Sequence, residues 1–93
     1  MFYSAAVRLE NLTEGAACFD KESGVTHVMD DGAAFVLQQV IADPGIDRNS
    51  LLSKLTTSFD DDPSELAVLL DNILTLLLQK GLLHDTAAPH VHW

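Results

Sequence analysis

The sequence predicts an α+β domain, with three short N-terminal β-strands followed by three α-helices. Three observations support this. The first third of the chain breaks into short apolar runs separated by turn formers. From Asp30 onward the apolar spacing changes to a helical one with explicit start and stop signals. The last helix, opening at Asp62, carries more leucine than a single core-facing stripe requires.

Tyr3 to Leu9 reads as the first strand, Asn11 to Gly15 as a polar turn, and Ala16 to Phe19 as the second strand. Asp20, Lys21, Glu22, Ser23 and Gly24 are turn formers, and a positive φ at Gly24 would close the loop onto a third strand, Val25 to Met29. Asp30 and Asp31 cap and charge the start of a helix through Ile41, with Ala34, Leu37 and Ile41, flanked by Ala33 and Val40, on its buried side. Asp43, Pro44 and Gly45 end it. Asp47 caps the second helix, Ile46 and Leu51 have hydrophobic-staple spacing, and Leu52, Leu55 and Phe59 continue its inner face.

The third helix has Asp62 as N-cap, Pro63 at the first helical position and Glu65 to neutralise the positive end. Lys80 and Gly81 close it, with Leu82 packing back on Leu77 as in a Schellman motif. On a helical wheel Leu66, Leu69, Leu70, Ile73, Leu76 and Leu77 form the expected core stripe. Ala67, Leu74 and Leu78 form a second stripe flanking Asp71. That second stripe needs a cover: another polypeptide, a second copy of the chain, or the protein's own first strand or C-terminal tail. The parts are those of a winged-helix-like domain over residues 1–83, with 84–93 as a flexible C-terminal tail.

Ninety-three residues make one small core with little room for a deep substrate cavity. Fourteen acidic residues against five Lys and Arg give a formal net charge of −9, which repels phosphate backbones and anionic lipid. Nucleic acid and membrane are therefore poor partners, and no apolar run approaches the roughly 20 residues of a membrane span. The acidic surface either speeds encounter with a basic partner or serves only solubility. One cysteine, Cys18, excludes an internal disulfide and fits a reducing cytoplasm.

No catalytic constellation emerges, and no cofactor or metal is expected. Cys18 has no neighbouring base to activate it, and His27 shares a strand face with Val25 and Met29, as a half-buried, hydrogen-bonded imidazole would. His90 and His92 have a His-x-His spacing, but with His84 they have no Cys or carboxylate at fixed ligand spacing and read as an incidental tail, and Asp60 to Asp62 lack the alternation and glycine of a calcium loop.

The glycine-ended hairpin, the strand Thr26-His27-Val28-Met29 running into Asp30-Asp31-Gly32-Ala33-Ala34, two short helices and a closing Lys80-Gly81-Leu82-Leu83 together resemble the PqqD family. These are peptide chaperones that act as recognition elements for ribosomally made, post-translationally modified peptides. The resemblance covers Val7 to Leu83, and departs from the family's usual Asn-Pro-Thr-Ala-Ala junction at Asp30, Asp31 and Gly32. It implies a non-catalytic adaptor that binds the leader of a precursor peptide as an added strand and presents it to a modifying enzyme, such as a radical enzyme, a leader protease with a cyclase, or a kinase-related protein. The site it implies is the strand edge Val25, Thr26, His27, Val28 and Met29 with a groove wall of Ala67, Asp71, Leu74 and Leu78. Two other readings fit the same elements. A winged-helix DNA-binding regulator would read bases with Asn72, Gln79 and Lys80, and a homodimerisation module would pair the Leu74 and Leu78 stripe with its own copy.

Overall fold

The computed structural model describes residues 1–85. Its elements are β1 (Phe2–Ser4), β2 (Val7–Asn11), β3 (Ala16–Asp20), β4 (Thr26–Met29), α1 (Asp31–Ala42), α2 (Arg48–Ser58), α3 (Pro63–Gln79) and β5 (Leu83–Asp85). The α+β, winged-helix-like order is as the sequence indicates. The antiparallel sheet runs β2-β3-β4, and its inner face covers the helices.

The expected first strand is in fact two. Between Ala5 and Ala6 the chain passes from one sheet to another: the Ala5 amide donates to the Leu82 carbonyl, while the Ala6 carbonyl accepts from the Lys21 amide. No glycine or proline marks this break, so it leaves no turn signal in the sequence. β1 pairs antiparallel with β5, bringing Tyr3 opposite His84, and the Met1 ammonium lies 3.3 Å from an Asp85 carboxylate oxygen. His84 and Asp85 are therefore strand rather than tail. Residues 86–93, with His90 and His92, lie outside the described residues.

The core gathers Cys18 and Met29 from the sheet, Val36, Leu37 and Val40 from α1, Leu51 and Leu55 from α2, and Leu66, Leu70 and Leu77 from α3, closed by Leu82 and Leu83. Full burial of each leucine contributes about 2 kcal/mol of transfer free energy. Ile41, expected inside, is exposed, and Val36 takes its place. Phe35 and Phe59 meet edge to face with centroids 5.4 Å apart, closing the far side of α1 against the end of α2.

The caps form as the sequence predicts. Carboxylate oxygens of Asp30, Asp47 and Asp62 accept from the amides of Ala33, Ser50 and Ser64 at 2.8–2.9 Å. At the end of α3, Gly81 donates to Leu78 and Leu82 donates to Leu77, a complete Schellman closure. The Ser50 amide and hydroxyl hold Asp47 below the ordinary carboxylate range, and Ser64 does the same for Asp62. A depressed folded-state pKa contributes stability above the unfolded value of about 3.9, and that contribution is lost as pH falls through the folded value. Asp62→Ala should therefore destabilise the protein at neutral pH, and its difference from wild type should shrink in acid. Urea midpoints of both proteins at the two pH values test this; a difference that persists unchanged in acid contradicts it.

Candidate functional site

Among the described residues β4 is paired on one side only, with β3. Its register sets Thr26 opposite Phe19, His27 opposite Cys18, Val28 opposite Ala17 and Met29 opposite Ala16. The Asp20 amide donates to the Val25 carbonyl at 2.9 Å, so Val25 begins the ladder with its carbonyl toward β3. Antiparallel pairing alternates from there, turning the backbone groups of His27 and Met29 toward β3 and those of Thr26 and Val28 outward along the open edge. Side chains alternate as well. Met29 is buried and His27 half-buried on the inner face, while Val28, on the outer face, is 75% exposed.

Beside this edge lies a groove of about 210 Å³. His27, Val28, Met29 and Asp30 line it from the strand and its junction with α1, Ala33 forms part of the floor, and Leu76, Leu77 and Lys80 come from α3. A volume below the roughly 300–1,000 Å³ of small-molecule sites suits one or two side chains of a chain lying along the edge. The α3 face continues toward its N-terminus through Leu69, exposed seven residues before the exposed Leu76 and therefore near the same side of the helix. Ile73 lies between them, with its Cδ1 3.3 Å from where a Cβ on Gly32 would be.

Of the expected site residues, those of the strand lie along one sheet edge, while those of α3 are divided between the core and the surface. Thr26, His27, Val28 and Met29 form the edge strand and Val25 adjoins it. Leu74 is 5% exposed and belongs to the core. Asp71 accepts a two-pronged hydrogen bond from the Arg48 guanidinium at 2.7 and 3.0 Å, which holds its carboxyl low and ties this face of α3 to α2. Ala67 is half-buried and Leu78 is exposed. On α3 the groove beside the edge is lined by Leu76, Leu77 and Lys80, with Leu69 exposed farther along, whereas Leu74 is in the core.

A second hollow of about 280 Å³ lies between α1 and α2, lined by Phe35, Gln39, Ser53, Lys54, Thr57 and Ser58, but it adjoins no open strand. Cys18 is fully buried, and burial followed by the Asp20 carboxylate pushes its thiol up, away from reactivity. Among the described residues the His27 imidazole makes no hydrogen bond, unlike the sequence expectation, and no helix is long and apolar enough to cross a membrane. Asn72, Gln79 and Lys80 are exposed on α3 together with Glu65 and Asp71, a mixed surface rather than a cationic one for a DNA groove.

No family model matches the chain, and no curated protein matches it. Two solved structures share its fold over nearly the whole length. TbiB1 in complex with the TbiA(beta) leader peptide superposes with a TM-score of 0.72 at 17% identity, covering 95% of this chain and all of that one. Lasso peptide synthetase B1 complexed with the leader peptide gives 0.70 at 18% identity, covering 90% of this chain and 98% of the other.

Proposed function

We propose that this protein is a non-catalytic adaptor that captures the leader of a ribosomally made precursor peptide by strand addition to β4 and presents it to a modifying enzyme in the cytoplasm. The observation that carries this reading is the outward backbone of Thr26 and Val28 lying directly beside the apolar groove. An extended peptide can satisfy the ladder with its own amides and carbonyls while alternate side chains enter the groove. Each added hydrogen bond contributes about 0.5–1.5 kcal/mol net, against roughly 1–2 kcal/mol of entropy for each backbone residue ordered. The ladder alone therefore comes close to cancelling its own cost, and the side chains in the groove decide affinity and selectivity. That two leader-peptide complexes share the fold supports the same reading.

In this role no bond is made or broken by the chain itself. Ordering the leader raises the effective concentration of the attached core peptide at the enzyme, whether that enzyme is a leader protease with a cyclase or another modifying type. Isothermal titration with the two halves of a precursor encoded beside this chain tests the proposal. The leader half should bind and the core half should not, and the adaptor should accelerate modification of the intact precursor only. Equal binding of both halves, or of neither, contradicts it.

A further inference from the structure

Of the five Lys and Arg side chains, Lys80 alone lines the groove. Arg48 is engaged by Asp71, and Arg8 lies over the Phe19 ring at 5.9 Å, on the opposite face of the sheet. Lys21 is in the β3-β4 turn and Lys54 on α2 beside the other hollow. Lys80 is exposed at the C-cap of α3 and makes no ion pair among the described residues. Asp30, the one carboxylate in the same lining, already accepts from the Ala33 amide at the positive end of α1. The groove thus offers an apolar floor and one cation that has no ion-pair partner among the described residues.

We infer that Lys80 is a specificity-determining residue that selects guest strands carrying a carboxylate side chain close to a large apolar one. This rests on the strand-addition reading. Guest residues two apart share the face of His27 and Met29 and point into the groove together. One places an aliphatic or aromatic side chain over Met29, Leu76 and Leu77, and the other brings Asp or Glu to the Lys80 ammonium. The pair is sheltered by the guest strand on one side and the α3 surface on the other, so it is screened less than an open surface pair. The protein's overall charge of −9 opposes acidic peptides in general, so acceptance of a carboxylate has to be local to this position.

A randomised short-peptide display library, selected on the wild-type chain and on Lys80→Glu and Lys80→Met, tests the inference. Wild type should enrich Asp or Glu two residues from a large apolar residue, Lys80→Glu should enrich Lys or Arg at that position, and Lys80→Met should show no charge preference there. An enriched wild-type peptide should lose about five- to tenfold in affinity for Lys80→Glu, and exchanging its acid for Lys should restore binding to that variant. Lys80 is exposed, and unchanged thermal melting of both variants confirms that folding is not the cause of a difference. The same apolar-only consensus on all three proteins overturns the role of Lys80 and leaves strand addition standing. Absence of any enriched peptide overturns both.

Discussion

Val28→Pro is expected to weaken leader binding at least tenfold while leaving the fold intact, roughly 1.4 kcal/mol or more of binding free energy. Val28 sits opposite Ala17 in a pair that exchanges no backbone hydrogen bonds, so its amide points to the open edge. Proline is tolerated at such edge positions because no ladder bond is lost, and the Val28 side chain contributes little to the core at 75% exposure. For a guest strand the same change removes a donor and puts ring atoms where its carbonyl must approach. His27→Pro makes the opposite prediction, since His27 faces Cys18 within the ladder and its loss damages the sheet itself. Titration and urea melts of the two variants separate binding from stability. A Val28→Pro protein that binds leader like wild type would mean the guest does not use this edge.

Gly15→Ala should destabilise the domain by about 2–5 kcal/mol. Gly15 has φ of +79°, and a Cβ there would overlap the Met29 carbonyl oxygen and lie 3.1 Å from its carbonyl carbon. The left-handed conformation costs an L-residue about 1–2 kcal/mol, and displacing backbone to relieve the overlap adds about 1–3 kcal/mol. The Gly15 amide also donates to the Asp31 carboxylate at 2.9 Å, so the β2-β3 turn is fastened to the start of α1 beside the end of β4. The substitution should therefore lower leader affinity too, by moving Met29 and Asp30 at the groove. Gly24→Ala is the internal control: its φ is +76° but nothing lies within 4 Å of the added Cβ, so only the conformational penalty remains. Denaturant midpoints should rank Gly15→Ala well below Gly24→Ala, and equal midpoints would contradict the packing argument.

The caps, the hairpin and the strand-to-helix junction were legible in the sequence because each is a local device with its chemistry confined to a few residues. Asp30, Asp47, Asp62 and the closing Gly81-Leu82 all act where their neighbours along the chain predict. The open strand was legible for a topological reason, since a small antiparallel sheet must leave edges unpaired. What the wheel could not give was where the buried arc of α3 ends. Leucines occupy so much of its circumference that the margins of the buried arc are set by packing against distant elements. Leu66, Leu70, Ile73 and Leu77 are buried as the wheel indicates, Leu74 joins them, and Leu69 and Leu76 lie outside. The one local signal pointing to the groove arc was Lys80, which lies at helical spacing from Leu69, Ile73 and Leu76. The pairing of β1 with β5 was hidden likewise, because it joins residues at opposite ends of the sequence without a turn between them.

Amide hydrogen exchange on β4, measured with and without bound leader peptide, tests the central claim most directly. Strand addition predicts an alternating response: the outward amides of Thr26 and Val28 become strongly protected on binding, while those of His27 and Met29, already in the ladder with β3, change little. Leader binding that leaves Thr26 and Val28 exchanging at their free rates would contradict it.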